Sequence, residues 1–261
     1  MNKNRKTALI TGASSGIGKA LAENFAKDGY DVILAARSVS KMEAQAADLE
    51  ERYGITATVI AADLESNDGA PRLHADIKSR RITLSALANN AGYGTFGEFK
   101  ESALKPELAM MQINMNAVVI LTKLFLPDLL LTKGKIINTA STAAFQPGPY
   151  MAVYYATKAF VLSFSEAIAS ELEETGVTVT ALCPGPTASG FQDKAGMNAS
   201  ALVKGKKLST AGEVAAAGYR AMQRGQRVYI PGIMNWLMAQ STRFTPRSVV
   251  VRVVKAMSKP I

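Results

Sequence analysis

The 261 residues contain one cysteine, Cys183, and one histidine, His74. A lone thiol excludes an internal disulfide framework and any multi-cysteine zinc or iron–sulfur site. A lone imidazole excludes the two-histidine metal helix and most metal cages, so no metal site is expected. Long apolar runs are scarce too. The stretch 117–131 comes nearest, but Lys123, Pro127 and Asp128 interrupt it, and no membrane span is expected. The start, Met1–Lys6, is polar and basic and the apolar run after it is too short for an export signal, so a reducing cytoplasm is the expected compartment. Acids nearly vanish late in the chain: residues 194–261 hold twelve Lys and Arg against Glu213 alone, whereas residues 1–193 hold 18 basic and 20 acidic side chains. Such a basic third invites an anionic partner or is a solvated face. No nucleic-acid recognition module is visible, and the basic segment is not an arginine-rich arm. Chemistry in this chain has to run on hydroxyls, lysines and a bound cofactor.

What is present is a regular alternation. Short runs rich in Val, Ile and Thr recur at Thr7–Thr11, Asp31–Ala35, Thr56–Ala61, Leu84–Asn89, Lys135–Ala140, Val177–Cys183 and Arg227–Ile230. They lack in/out alternation, as parallel strands covered on both faces should. Helical-period segments lie between them, among them Gly18–Asp28, Lys41–Tyr53, Leu108–Leu129 and Ala156–Thr175, with Gly29, Gly54 and Gly176 placed as left-handed helix stops. Repeated βα units predict an α/β fold: one domain over 1–261, a doubly wound (Rossmann-type) seven-stranded parallel sheet with helices on both faces. The core is expected over residues 6–183. Residues 188–208, with Gly190, Gly196 and Gly205 beside Phe191 and Met197, break the rhythm and read as an insert covering a site. The tail 233–259 mixes Trp236, Leu237, Phe244 and several valines with Arg243, Arg247, Arg252 and Lys255, an amphipathic pattern suited to packing on the sheet or resting on lipid.

Three local patterns carry chemistry. Thr11-Gly-Ala-Ser-Ser-Gly-Ile-Gly18 follows the first strand and opens the first helix. Gly12 permits a tight turn, Gly16 a close backbone approach and Gly18 close helix–strand packing, so Gly12, Ser14, Ser15, Gly16, Ile17 and Gly18 form a candidate pyrophosphate cradle at a helix N-terminus. The second strand ends Ala35-Ala36-Arg37-Ser38, where a fold reading NAD places a carboxylate. No acid stands there. Arg37, with Ser38 beside it, can take a 2′-phosphate through a charge-assisted fork, so NADP(H) is expected over NAD(H). In Tyr154-Tyr-Ala-Thr-Lys158 the first and last residues share a helix face one turn apart. An ammonium beside a phenol lowers the phenol's pKa toward working pH, which makes Tyr154 a candidate proton donor and Tyr155 its local competitor.

These pieces together resemble the short-chain dehydrogenase/reductase family over about Lys6 to Ser189. TGASSGIG (Thr11–Gly18) is similar to the family's TGxxxGxG, and Asn89-Asn90-Ala91-Gly92 to its NNAG after the fourth strand. Ser141 precedes Tyr154 by thirteen residues, the family's spacing, and Cys183-Pro184-Gly185 looks like its PG turn. The resemblance implies catalysis by Ser141, Tyr154, Lys158 and Asn114, with Asn116 the weaker choice for the asparagine. It implies cofactor contacts at Asp63 and Leu64 for adenine, at Asn90, Ala91 and Gly92, at Pro184 and Gly185, and at a hydroxyl from Thr187 or Ser189. Ser189 stands where the family often has threonine. In reduction Ser141 would hold the carbonyl oxygen, Tyr154 donate the proton, Lys158 hold the nicotinamide ribose and tune Tyr154, and Asn114 position a water.

The implied activity is an NADP(H)-dependent interconversion of a carbonyl and a secondary alcohol on a hydrophobic substrate, a 3-oxoacyl thioester or lipid-like ketone among the candidates, CoA- or carrier-linked. The rival is an NADP-binding interaction protein with little turnover. An apolar pocket is expected from 143–151 and 188–208, with Phe145, Phe191 and Met197 in its walls. Lys194, Lys204, Lys206 and Lys207 could meet an anionic carrier, and the basic tail could make peripheral membrane contact. The resemblance further implies a homodimer or homotetramer paired through the helices at 108–129 and 156–175.

Overall fold

The computed structural model describes residues 5–191, 195–196 and 208–259. Its central sheet is seven-stranded: β1 (Thr7–Thr11), β2 (Asp31–Ala36), β3 (Ala57–Ala61), β4 (Ala86–Asn89), β5 (Lys135–Thr139), β6 (Thr178–Leu182) and β9 (Val228–Tyr229), in the order β3-β2-β1-β4-β5-β6-β9. Every pairing is parallel. A separate two-stranded parallel ladder joins β7 (Thr187–Ala188) to β8 (Ser209–Thr210). The seven expected strands are therefore the seven observed, each shifted by two residues or fewer at its ends.

Helices cover both faces. On one side α1 (Gly16–Lys27), α2 (Val39–Tyr53) and α7 (Ala211–Gln223) pack Leu21, Phe25, Met42, Leu49, Val214 and Met222 against β1 and β2. Phe25 is wedged edge-on between Tyr30 and Tyr219 at 5.2 and 4.9 Å, an aromatic geometry that adds to its area burial. On the other side α3 (Gly69–Ser79), α5 (Ala117–Thr132) and α6 (Ala152–Glu171) bring Leu73, Ile77, Leu121, Phe125, Leu129 and Ala169 onto the sheet. Each such large side chain, removed from water, contributes about 1.5–3 kcal/mol. Gly29, Gly54 and Gly176 take φ of 79°, 62° and 83°, the left-handed stops their positions predict.

The helix expected at 108–129 is longer than its sequence suggested. Helix α4 (Leu104–Met111) runs through one wide i→i+5 turn, Gln112–Asn116, into α5, giving 29 continuous residues whose most apolar stretch of 18 has a mean hydropathy of 1.6. By length and composition alone this helix is long and apolar enough to cross a bilayer, a property that core helices share, so the expectation drawn from Lys123, Pro127 and Asp128 is not overturned. One face packs as core: Asp128 accepts hydrogen bonds from Lys78 Nζ (2.7 Å) and Leu84 N (3.0 Å), and Phe125 is fully buried.

The strand order reverses between β1 and β4, and the loops leaving β1, β4, β5 and β6 all emerge at the carboxyl edge beside that reversal, where open α/β sheets bind ligands. Of the insert read at 188–208, Ala188–Phe191, Ala195, Gly196 and Leu208 are placed; Met197, Gly205, Lys194, Lys204, Lys206 and Lys207 lie outside the described residues.

Candidate active site

A cavity of about 1000 Å³ opens at that edge. Its walls include Gly12, Ser14, Ser15, Gly16, Ile17, Arg37, Ser38, Asp63, Leu64, Asn90, Ala91, Gly92, Ser141, Tyr154, Lys158, Pro184, Gly185, Thr187 and Ser189. Of the leading catalytic and cofactor-binding residues read from sequence, only Gly18 and Asn114 are absent from the lining.

Gly18 is one layer beneath the cavity. A Cβ there would stand 2.3 Å from the Gly12 carbonyl oxygen and 2.4 Å from Asn90 Nδ2, so it serves helix–strand packing and not ligand contact. Gly12 has φ +66°, and a Cβ on it would meet the Ala91 backbone at 2.9 Å. The Thr11 hydroxyl sets this spacing. It accepts from the Asn90 and Ala91 amides (2.9 and 3.0 Å) and donates to the Ala88 carbonyl (3.2 Å), pinning the β4 loop to the glycine turn. The result is a side-chain-free cradle at the N-terminus of α1, where free N–H groups and the helix dipole favour a pyrophosphate.

Arg37 is on the rim, 60% exposed, and its guanidinium donates to Glu65 Oε1 at 2.7 Å. Glu65 lines the cavity and was not anticipated: the acid comes from the loop after β3, two residues beyond Asp63, while the end of β2 stays free of acid. The pair presents a cation that an incoming 2′-phosphate can share or take.

At the far end, the Ser141 hydroxyl lies beside the Tyr154 phenol and favours its ionised form. The 141 hydroxyl also accepts from Ala143 N (3.1 Å) and donates to the Pro184 carbonyl (3.3 Å), fixing it between the β5 and β6 loops. Lys158 Nζ donates to the Thr139 carbonyl (2.7 Å) and stands 5.7 Å from the Tyr154 ring centre. Both Tyr154 and Lys158 are buried. Burial pushes the Tyr154 phenol far above the ordinary tyrosine range, the Ser141 hydroxyl only partly opposing it. The lowering by Lys158 that the spacing suggested is therefore overturned: desolvation of the anion dominates and keeps the phenol protonated. Burial also pulls Lys158 down to about 8. Tyr155 is a separate case. It is buried, burial raises its phenol, and Ser258 near the end of the chain partly opposes that rise.

Asn114 sits in the wide turn before α5. Its amide donates to the Tyr93 carbonyl (2.9 Å) and Thr157 Oγ1 (3.0 Å), and its Oδ1 accepts from Tyr93 N (3.2 Å). Such wide turns recur at functional sites because they re-aim one side chain. Asn116 bonds Gln112 within its own helix at 2.7 Å and faces away.

The apolar wall departs from expectation. Phe191 does approach Tyr154, ring centres 5.4 Å apart. Phe145, at the end of the short Thr142–Phe145 turn, instead packs with Val118, Val161 and Leu162 outside the cavity. Its place is taken by Met151 and by methionines that sequence reading missed, Met234 and Met238 on α8 (Ile233–Ser241) and Met257 on α9 (Arg247–Ser258).

A glycine cradle, a Ser–Tyr hydroxyl pair and a buried lysine now stand in one cavity, and the sequence model of short chain dehydrogenases matches residues 6–199. The chain belongs to the short-chain dehydrogenase family. The very-long-chain 3-oxoacyl-CoA reductase of Anas platyrhynchos is 36% identical over 185 residues, 68% of this chain and 58% of that protein. The chain thus spans a little over half the length of such reductases. The serine 3-dehydrogenase of Agrobacterium fabrum is 34% identical over 86% of this chain and 90% of its own length. Among solved structures, a short-chain dehydrogenase from Sphingobium yanoikuyae in complex with NADPH superposes with a TM-score of 0.82 at 31% identity, covering 92% of this chain and 94% of that one. This short-chain dehydrogenase therefore has relatives named for substrates as unlike as a long acyl thioester and an amino acid.

Proposed function

We propose that the protein is an NADP(H)-dependent oxidoreductase that interconverts a carbonyl and a secondary alcohol on a hydrophobic substrate, a 3-oxoacyl thioester or lipid-like ketone being the leading class. The observation that carries this reading is the adjacent Ser141–Tyr154 pair in one cavity with the glycine cradle and Arg37. The Cβ-free surface of Gly12 and Gly16 fits a dinucleotide pyrophosphate, and Arg37 fits its 2′-phosphate. When bound, the cofactor supplies the hydride.

The chain's own residues do the rest. Ser141 donates a hydrogen bond to the substrate's carbonyl oxygen, where negative charge develops. Tyr154 holds its proton on the phenol oxygen, kept there by burial, and delivers it to that oxygen. Lys158 is fixed through Thr139 to hold the ribose hydroxyls, and Asn114 positions a water for proton return. A protonated phenol favours reduction near neutral pH. Thr187 and Ser189 both line the cavity, and the buried Thr187 offers the more fixed hydroxyl to the nicotinamide amide.

The substrate end supports a hydrophobic ketone: Met151, Phe191, Met234, Met238 and Met257 surround it. Pairing into a homo-oligomer is supported by the exposed Leu104, Leu108, Leu131 and Phe160 on the α4–α5 and α6 faces. The whole chain is read as one catalytic unit working in a reducing cytoplasm, consistent with its buried free thiol. The test is NADPH oxidation against a panel of 3-oxoacyl thioesters and bulky ketones. Turnover with NADPH preferred supports the reading; tight NADPH binding with no turnover on any member refutes it in favour of a cofactor-reading interaction protein.

A further inference from the structure

Eight of the fifteen large hydrophobic side chains exposed among the described residues lie between Ile233 and Met257. The nine-residue α8 is mostly apolar, yet only Ala239 on it is buried. Asn235 turns inward, against the Gly185 turn, and holds the Pro231 carbonyl at 2.7 Å. At 100° per residue, the positions around α8 run from Trp236 and Ile233 through Leu237 to Met234 and Met238 without meeting a charge. The last two line the cavity, so an uncharged and mostly apolar surface, broken only by Gln240 and Ser241, leads from solvent to the substrate end. Helix α9 repeats the arrangement. Val250, Val254 and Ser258 face inward, Met257 lines the cavity, and Val253 and Val249 continue outward from it.

Cations frame this surface. Arg243, Arg247, Arg252 and Lys255 are all exposed, and none forms an ion pair among the described residues. No acid follows Glu213 in the sequence. Phe244, 88% exposed, stands between the two helices. Apolar side chains with an indole, bordered by unneutralised arginines, match the chemistry of an anionic bilayer interface.

We propose that the α8–α9 face docks on an anionic bilayer and that the methionine-lined opening there admits a lipid-dissolved ketone directly from it. The substrate part of this inference rests on the oxidoreductase reading above; the docking part does not. Acyl chains satisfy the exposed Ile233, Trp236, Leu237 and Phe244, while lipid phosphates satisfy the four cations.

The experiment is co-sedimentation of the full chain with phosphatidylcholine vesicles and with mixed phosphatidylcholine/phosphatidylglycerol vesicles, at low and high salt. The chain should sediment with the mixed vesicles at low salt only. Reversing two charges in Arg247→Glu/Arg252→Glu should weaken partition roughly twenty-fold or more, at about five-fold per cation, and Phe244→Ser should weaken it at unchanged charge. Both variants should keep the wild-type melting temperature and the wild-type rate on a water-soluble ketone, and lose rate only on a ketone held in mixed vesicles. Absence of sedimentation, or sedimentation indifferent to lipid charge and to Arg247→Glu/Arg252→Glu, overturns the proposal. So does a dimer in light scattering that Phe244→Ser splits, which would mean a second copy covers this face. Vesicle binding as expected with no turnover on any ketone keeps the docking surface and defeats the oxidoreductase reading and the admission of substrate with it.

Discussion

Replacing Lys158 with Met should stabilise the protein while disabling it. Lys158 is buried, and its folded pKa of about 8 lies below the 10.5 of a free lysine. That difference, at ~1.36 kcal/mol per pH unit, means that carrying the buried ammonium costs about 3 kcal/mol at pH 7. Methionine has a similar length and no charge. The substitution leaves the Thr139 carbonyl without its 2.7 Å donor, a loss of about 1 kcal/mol. The net gain is about 2 kcal/mol, which for a chain of this size raises the melting temperature by roughly 4–8 °C. The sign of the pH dependence follows from linkage. Between about pH 8 and 10.5 the unfolded wild type binds more protons at this lysine than the folded one, so this residue's contribution makes wild-type stability rise across that window. The advantage of Lys158→Met should therefore be full at pH 7 and shrink as pH climbs from 8 to 10.5. Calorimetry of both proteins at several pH values measures this directly, with NADPH binding followed alongside. A variant that melts at or below wild type at pH 7, or a difference that ignores pH, would refute the reasoning that Lys158 is held against its own solvation for the sake of the site.

Other expectations concern single contacts. Gly18→Ala should cripple folding or cofactor binding, because its Cβ would meet the Gly12 carbonyl at 2.3 Å; proteolytic sensitivity and NADPH fluorescence titration report which. Arg37→Ala should weaken NADPH by about 1–3 kcal/mol, the range for a charged hydrogen bond, with little change for NADH. Glu65→Gln should tighten NADPH by a few tenths to about 1 kcal/mol by freeing the exposed Arg37, and calorimetric titration checks both. Asn114→Ala should cost about 1–3 kcal/mol in urea unfolding, since it removes the partner of the Tyr93 N–H and carbonyl and one of the two hydrogen bonds of the Thr157 hydroxyl, and should also lower turnover.

The parts of this account that were legible in the sequence are those that chain neighbours impose. The glycine turn, the acid-free end of β2 and the four-residue interval from Tyr154 to Lys158 are local geometry, and the structure places them in one cavity as their spacing predicts. What could not be read depends on partners far along the chain. Glu65 reaches Arg37 across 28 positions, and Met234, Met238 and Met257 reach a cavity whose glycine cradle and hydroxyl pair lie before residue 155. No periodicity signals such meetings. The wide turn at Gln112–Asn116 left no mark either, so one helix looked like a shorter one. Phe145 was misplaced because a short turn, not a strand or helix period, decides which way it points. The protonation of Tyr154 was misread because adjacency to lysine is visible in a sequence and desolvation is not.

The central claim is that the Ser141–Tyr154 pair delivers a proton during carbonyl reduction by NADPH. The most direct measurement compares wild type with Tyr154→Phe and Tyr155→Phe in steady-state NADPH oxidation on the best ketone of the panel, with NADPH affinity titrated for each. Tyr154→Phe should abolish nearly all turnover and leave NADPH affinity within a few-fold, while Tyr155→Phe keeps most of its activity. Turnover that survives Tyr154→Phe and disappears with Tyr155→Phe would contradict the account.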